Sequence, residues 1–239
     1  MGGMRAEAIS SMRALILVLL LLASTQLILL TARDYAPQEL EALPQRYDAD
    51  NSGVASIELG ETHACVIGTD SQMKCWGDGT YGKTGHENAA DYGDEEEEMG
   101  RYLLFTDVGV GLTFSDVALG QDFTCALIND ASVKCWGENS NGQIGDGTTT
   151  DRQSPVSVGL GSGDTAVSVS LGSYHTCAIT DERSVKCWGD NWHGQLGDGS
   201  AGDRISPTSI ELPGNSSAVT LSSGSFHTCV GLNDGSMFC

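Results

Sequence analysis

Eight cysteines, arranged as four pairs with the same ten-residue spacing, constrain this 239-residue chain more than any other feature. The pairs are Cys65 with Cys75, Cys125 with Cys135, Cys177 with Cys187, and Cys229 with Cys239. The first cysteines of successive pairs are separated by 60, 52 and 52 residues. A period near 50 residues is typical of propellers, solenoids and repeat arrays, so the repeat is interpreted before any isolated motif.

The fourth copy explains the spacing. Residues 233–235, Asn-Asp-Gly, have the pattern of a three-residue hairpin loop whose glycine takes a left-handed conformation. Pairing outward from this loop places Cys229 opposite Cys239, where two strands bring Cα atoms to about 4.5–5.5 Å, a separation that a disulfide tolerates. We therefore predict four cross-strand disulfides, each stabilising its repeat by somewhat under ~3 kcal/mol.

Zinc binding is the alternative interpretation of the cysteines. His63, His175 and His227 each lie two residues before a cysteine, on the same face of a strand, and could join two thiolates around a zinc ion. The second copy has no histidine there, and each copy lacks a fourth ligand. Disulfides are therefore favoured, the histidines are expected to pack in strands or face water, and no metal or cofactor is predicted.

Each hairpin is preceded by a short strand and followed by a glycine-rich tail. In the third copy Val167, Val169 and Leu171 alternate with serines, which predicts a half-buried strand that ends at Gly172. The tails begin with Trp-Gly, and their glycines permit tight turns and close packing. Four tail aspartates could bind a cation, but backbone hydrogen bonding in turns is the favoured role for Asp146, Asp151, Asp198 and Asp203.

The N-terminal residues differ from the repeats. Residues 14–30 form an uncharged stretch that, as a helix, would span about 26 Å, just short of a ~30 Å hydrocarbon core. Residues 1–33 are therefore predicted to be a signal peptide or a membrane anchor, with Arg5 and Arg13 on the cytoplasmic side and the repeats outside. Residues 34–53 are predicted to be a polar linker.

Two short patterns near the linker and the last repeat carry little weight. Residues 48–53 resemble the start of a calcium loop, but the twelfth position is Leu59 where a bidentate glutamate is required. Asn215 begins an Asn-Ser-Ser sequon, which would be glycosylated only in a eukaryotic secretory route.

The net charge of the chain disfavours some classes of binding partner. It contains 12 basic and 32 acidic residues, a formal net charge of -20, which disfavours binding to nucleic acid or anionic lipid. An acidic run at 94–98 lies in the longer first interval and is interpreted as a loop insertion. The insertion between Gly85 and Val108 is the predicted place for a basic protein partner.

The combined motifs resemble the regulator of chromosome condensation repeat family over residues 54–239. The resemblance is carried by Gly-x-x-His/Phe-Thr-Cys-Ala, Cys-Trp-Gly and Asn-x-x-Gly-Gln-Leu/Ile-Gly-Asp-Gly, and it is strongest at 123–158 and 174–210. It implies four-stranded blades of a seven-bladed β-propeller, whereas the residues alone predict β-rich units that stack. The chain resembles exported, cysteine-paired members more than the nuclear founder, which implies that its repeats bind a protein or another ligand.

The predicted fold is an all-β, partial β-propeller of tandem repeats of about 52 residues, behind the N-terminal segment. The repeats are placed at 54–110, 111–165, 166–217 and 218–239, three full copies and part of a fourth. Other copies continue into Trp-Gly after the second cysteine, so we expect a piece of a longer protein. Self-association through an open blade edge is the less favoured alternative.

The predicted function is a non-catalytic, secreted or membrane-anchored module that binds a protein or a carbohydrate. No nucleophile, base and orienting residue occur together, and the histidines recur with the repeat instead of gathering at one site. The alternatives are guanine-nucleotide exchange on a small GTPase, as for the nuclear founder of the family, and inhibition of an enzyme by a secreted propeller.

Overall fold

The computed structural model describes residues 53–214 and 216–239, and this part of the chain is all-β, as predicted. It contains four antiparallel sheets, which we call blades 1 to 4 in chain order. The predicted signal or anchor segment, the linker up to residue 52 and the sequon asparagine lie outside the described residues. Within the described ranges, no helix has the length and apolar character needed to cross a bilayer.

The strands are as follows. Blade 1 contains β1 (Val54–Leu59), β2 (His63–Gly68) and β3 (Met73–Gly77). Blade 2 contains β4 (Phe114–Leu119), β5 (Phe123–Ile128), β6 (Val133–Gly137) and β7 (Arg152–Ser157). Blade 3 contains β8 (Ala166–Leu171), β9 (His175–Thr180), β10 (Val185–Gly189) and β11 (Arg204–Ile210). Blade 4 contains β12 (Ala218–Gly224), β13 (His227–Leu232) and β14 (Met237–Phe238).

Consecutive strands pair within each blade, and the first strand of every blade is innermost. The inner strands β1, β4, β8 and β12 are neighbours in that order, and the residues at their ends line one shared cleft, including Leu59, Leu119, Leu171 and Ser223. Hydrophobic clusters fill the space between consecutive blades. This arrangement of stacked blades around inner strands is a partial β-propeller.

The cysteine pairs lie directly across the second and third strands. Cys65 faces Cys75, and the corresponding cysteines face each other in blades 2 and 3. All four pairs are disulfides, with Sγ–Sγ distances of 2.08–2.13 Å and Cα–Cα distances of 4.1–4.2 Å. The Cα distances are slightly below the predicted range of about 4.5–5.5 Å.

The hairpin loop has the predicted form in every blade. In blade 4 the Leu232 amide donates to the Ser236 carbonyl, and Gly235 has a left-handed φ of 84°. The same position is occupied by Ser71, Ala131 and Arg183, with φ values of 62°, 64° and 64°. Three of the four loops therefore hold an L-residue in a conformation that favours glycine.

One predicted strand face is wrong at a single residue. Val169 and Leu171 are buried, but Val167 is 42% exposed. The pairing of β8 with β9 shifts between Ala166 and Ser168, a bulge that turns the intervening side chain outward. The same irregularity occurs near the start of each inner strand.

Blade 1 has three strands in place of the four implied by the family resemblance. Its fourth position is taken by the acidic insertion, since the Thr106 amide donates to the Met73 carbonyl at 3.0 Å. The equivalent bond in blade 2 joins Val158 to Val133. Lys74 Nζ donates to the Gly100 carbonyl at 2.8 Å and lies over the Phe105 ring. The insertion is thus a structured cover on the outer edge of blade 1.

Candidate functional site

The loops after each inner strand and after each third strand meet at one end of the blades. The amide of Asp78 donates to the Thr62 carbonyl, Glu138 to Asp122, and Asp190 to Tyr174, at 2.9–3.0 Å. We call this surface the loop face. It comprises residues 60–62, 120–122, 172–174 and 224–226 and the tails 78–82, 138–142 and 190–194.

Carboxylates from different blades converge on the loop face. Burial raises the pKa of Tyr174, and the nearby carboxylates of Glu138, Asp122 and Glu61 raise it further. Burial also raises the pKa of Glu138, and the Asp122 carboxylate adds to that increase against hydrogen bonds from Ser140 and Gln143. These effects indicate that the three carboxylates lie near Tyr174. Asp122 is also paired with the Lys83 ammonium, and with Glu61 and Glu138 it gives this part of the surface a net negative charge.

Large aromatic side chains are exposed on the same face. Trp192 is 78% exposed and Phe226 is 47% exposed, and Tyr81 contributes a third partly exposed ring. The Phe226 ring meets His193 edge to face, with centroids 5.3 Å apart. Exposed aromatics among carboxylates are typical of a surface that binds protein, because such rings offer a large contact area at a low entropic cost.

Blades 2 and 3 are each joined to the preceding blade by a buried tryptophan. Trp136 of blade 2 donates its indole N–H to the Lys83 carbonyl, and Trp188 of blade 3 donates to the Gln143 carbonyl, each at 2.9 Å. A Cβ on Gly145 would lie 2.5 Å from Trp188 Nε1, so only glycine admits the ring. We call the seats of Trp136 and Trp188 the first and second sockets, and the contacts between consecutive blades junctions 1 to 3.

Two histidines form a second link between blades. His63 Nε2 lies 2.9 Å from Thr124 Oγ1, and His175 Nε2 lies 2.8 Å from Thr228 Oγ1. Burial lowers the pKa of both histidines to about 4. They are neutral packing residues at physiological pH, in agreement with the expected strand role. Blade 2 has the buried Phe123 at this position.

Junction 1 also contains a buried cation. Lys83, which is fully buried, donates to Asp78 at 2.6 Å and to Asp122 and Thr62 at 2.7 Å. Partial burial opposes the ionisation of Asp78, but hydrogen bonds from Lys83 and Thr80 outweigh it and hold its pKa well below the ordinary value. Burial likewise opposes the charge of Lys83, and its two carboxylate partners raise its pKa above the ordinary value.

The tail aspartates are engaged within the fold. Asp146 accepts from Arg152 and Thr148, and Asp198 accepts from Arg204 and Ser200. The Asp151 carboxylate accepts the backbone N–H of Asn139, and the Asp203 carboxylate accepts that of Asn191. These bonds lie within turns, which is the role that the sequence favoured for the four aspartates. Within residues 53–214 and 216–239, no three His, Cys, Asp or Glu side chains cluster as a metal site would require.

The sequence predicted a partner surface in the insertion between Gly85 and Val108, and the positions that form the loop face were not singled out. The signal was the residue after the Gly-x step in each repeat, which is Thr62, Asp122, Tyr174 or Phe226. A position whose residue type varies between copies, while the residues around it recur, is not required for the packing of the repeat. Only the fold brings these four positions to one surface.

The fold and the site define a class of β-propeller proteins. Their repeats each contain a disulfide within a hairpin, and a buried tryptophan links consecutive blades. Two family models of the Regulator of chromosome condensation (RCC1) repeat match the chain. One matches residues 54–83, 114–143 and 166–195, and the other matches 130–179 and 185–230. The chain belongs to the regulator of chromosome condensation repeat family.

Curated relatives span several cellular roles. The ultraviolet-B receptor UVR8 of Arabidopsis thaliana is 28% identical over 184 residues, covering 75% of this chain and 39% of that protein. The mitochondrial RCC1 domain-containing protein RUG3 of the same plant is 29% identical over 189 residues, covering 77% and 41%. This chain therefore spans about two fifths of the length of these relatives.

Solved structures support the fold. Human WBSCR16 gives a TM-score of 0.68 at 20% identity and covers 78% of this chain and 46% of that chain. Yeast RCC1 (Prp20), solved bound to Kap60, gives 0.64 at 17% identity and covers 78% and 43%. At these identities the similarity concerns the fold, and both comparisons agree with a partial propeller.

Proposed function

We propose that the chain is a non-catalytic, extracytoplasmic propeller module that binds a basic protein segment on its loop face. The observation that carries this proposal is the group of Glu61, Asp122 and Glu138 near Tyr174, on the same face as the exposed ring of Trp192. Carboxylates attract and orient lysine and arginine, and the rings supply the apolar contact that gives affinity.

The acidic insertion fits the same partner. Residues 94–97 are exposed, and the Asp91 carboxylate accepts the Gly79 amide at 2.9 Å, which ties the insertion to a tail of the loop face. A basic segment lying on the loop face would therefore meet negative charge beyond the central carboxylates. The insertion that the sequence singled out becomes an extension of the proposed surface.

Disulfides in every blade support an extracytoplasmic location. Such bonds persist in oxidising compartments and are rare in the cytosol and nucleus. Intact mass with and without reductant, measured on material exported by its own N-terminal segment, should show eight added hydrogens on reduction. Material with eight free thiols in the cytosol or nucleus would contradict the proposed location and favour an exchange-factor role.

The binding surface can be tested with defined peptides. A short labelled peptide rich in lysine and arginine should bind the oxidised protein by fluorescence anisotropy, more tightly at low salt, and a glutamate-rich peptide should not. The variant W192A/E61Q should bind about tenfold more weakly, because it removes one ring and one carboxylate. The control Glu182→Gln removes an exposed carboxylate at the opposite end of a blade and should bind like the parent. Equal affinity of all three proteins would reject the loop face.

A further inference from the structure

The outer edge of blade 1 exposes three large apolar side chains close together in the chain. Tyr102 is 48% exposed, Leu104 is 60% exposed and Phe105 is 44% exposed, while Leu103 between them is buried. We call the three exposed side chains the apolar edge. At the same place in blades 2 and 3, β7 exposes a glutamine and a serine, and β11 exposes two serines and Ile205. Grouped apolar side chains on the surface of a soluble protein mark an interaction site.

Both rings of the apolar edge are held in place by cations. Lys74 Nζ lies 4.5 Å from the centroid of the Phe105 ring and donates to the Gly100 carbonyl at 2.8 Å. The Arg101 guanidinium lies 4.9 Å from the centroid of the Tyr102 ring and donates to its hydroxyl at 2.9 Å. Rings that are already ordered lose little side-chain entropy when a partner covers them, so this surface is suited to binding.

The insertion places its acidic run between the loop face and the apolar edge. At the loop-face end of β3 the Gly77 amide donates to the Tyr92 carbonyl, and at the other end the Thr106 amide donates to the Met73 carbonyl. The run at 94–98 follows the first contact, and the apolar edge directly precedes the second. Because β3 has five residues, its ends are about 15 Å apart. A chain leaving the loop face over blade 1 therefore meets carboxylates first and apolar side chains second.

The charge around the apolar edge selects its occupant. The run at 94–98 supplies five acidic side chains, and Arg101 is the basic residue beside them. A second copy of this chain, with its net charge of -20, would be repelled, and so would an anionic membrane. A basic polypeptide is attracted instead, and its apolar side chains can cover the exposed rings and Leu104.

We propose that the apolar edge binds apolar side chains of the same partner segment whose basic residues occupy the loop face. This inference rests on the proposed function and specifies the chemistry of the partner. The segment carries a basic block and an apolar block, separated by about 15 Å or about five residues of extended chain. The basic block orients the segment, and the apolar block adds affinity.

The test compares extended peptides on the oxidised protein by fluorescence anisotropy. The labelled lysine- and arginine-rich peptide is extended by a Gly-Ser linker of about five residues and then by Leu-Phe-Leu, or by three serines as the matched control. Both versions are made with the extension at either end. In one of the two orders the Leu-Phe-Leu version should bind about tenfold more tightly than the serine version, since it buries apolar surface. Equal affinity of the two versions in both orders would overturn the inference.

Variants of the protein assign this gain to the apolar edge. Y102S/L104S should reduce the tenfold gain to less than about twofold and leave the affinity for the unextended basic peptide unchanged. Val219→Ser removes an apolar side chain that is 56% exposed on an inner strand of blade 4, and it should keep the full gain. Leu104→Ser alone should lose part of the gain, which keeps the test valid if the double variant does not fold. A full gain in Y102S/L104S would contradict the assigned surface.

Two further results separate this inference from the proposed function and from self-association. If the basic peptide binds and the Leu-Phe-Leu extension adds nothing, the inference alone fails, whereas absence of binding by the basic peptide rejects the proposed function and the inference with it. Analytical ultracentrifugation should show no dimer that depends on the apolar edge. A parent dimer that is lost in Y102S/L104S would assign this edge to a second copy of the chain and overturn the inference.

Discussion

Junctions 1 and 2 share one backbone contact, but the residue that provides the carbonyl has a different side chain in each. In both, an indole N–H and a threonine hydroxyl reach one carbonyl of the preceding blade. At junction 1 that carbonyl belongs to Lys83, whose ammonium group pairs with Asp78 and Asp122. At junction 2 it belongs to Gln143, whose amide donates to Glu138. The backbone carbonyl holds the blades together in both junctions. The side chain of the same residue differs, and it pairs with whatever polar groups the neighbouring loops offer.

The largest effect is expected from the element that both junctions share. Trp136→Ala and Trp188→Ala should each lower the free energy of unfolding by about 3–5 kcal/mol, because each removes a fully buried ring. Urea denaturation of the oxidised protein measures this loss, and Trp192→Ala, at an exposed ring, should stay within about 0.5 kcal/mol of the parent. A much smaller loss for Trp136→Ala would mean that the Lys83 cluster holds junction 1 without the indole.

Acid should weaken junction 1 through a histidine that junction 2 lacks. Burial lowers the pKa of His63 to about 4, with Lys83 lowering it further and Asp122 and Asp78 opposing. The unfolded chain therefore binds a proton that the folded chain resists, so stability is present above about pH 6.5 and falls towards pH 4 by on the order of 3 kcal/mol.

His63→Phe copies Phe123 of blade 2 and should remove this share of the acid sensitivity. The measurement is urea unfolding at neutral pH and near pH 4, compared between variant and parent. His175 remains in the variant and should keep its own contribution. An unchanged pH profile would show that the His63 ring is not buried as a neutral group.

The buried lysine should matter through its charge. Lys83→Met leaves two carboxylates without a cation, and because both are partly exposed we expect a loss of about 2 kcal/mol, below that of a fully buried pair. The low pKa of Asp78 means that this stabilisation is present above about pH 4 and lost as the carboxylate protonates. Denaturation of the parent and the variant at neutral and acidic pH measures both effects.

The double variant K83Q/D122Y is the matched control for this loss, since it gives junction 1 the residues of junction 2. It should lie within about 1 kcal/mol of the parent. If Lys83→Met alone were as stable as the parent, the ion pairs would contribute nothing to the junction.

The smallest effect concerns the hairpin loops, far from the junctions. Ala131→Gly should raise the free energy of unfolding by about 1 kcal/mol, because it relieves an L-residue with a left-handed φ. Gly235→Ala makes the reverse change at the same loop position and should lose a similar amount. Thermal denaturation of both variants provides the measurement, and two shifts of the same sign would contradict the explanation.

The repeated elements could be predicted from the sequence because they depend on local geometry. The ten-residue spacing and the loop at 233–235 gave the pairing of the cysteines without any knowledge of how blades stack. The bulge that exposes Val167 was missed, since alternation alone does not reveal an extra residue in one strand. The outer-strand position of the insertion was missed for a similar reason, because its backbone bond to Met73 has no side-chain signature.

The candidate site was harder to predict than the blades. Lys83 looks like an ordinary tail residue until Asp122, 39 positions later, is placed beside it. Tyr174 and Glu61 come from different blades, and only stacking brings them near enough for the Glu61 carboxylate to raise the pKa of Tyr174. Contacts of this kind depend on the rotation from one blade to the next, which the sequence of a single repeat does not specify.

The tryptophan contact always runs from one blade to the preceding blade, and this direction affects how a repeat protein can gain blades. Blades 2 and 3 each donate a tryptophan N–H to the preceding blade, and blades 1 and 2 each offer a carbonyl to the following one. A copied segment of 52 residues, the spacing of Cys125 and Cys177, therefore carries one donor and one acceptor. Inserted between blades 2 and 3, it would connect on both sides without new chemistry. Tandem gene duplication can therefore add a blade in one event, leaving later substitutions to give the new copy its own surface.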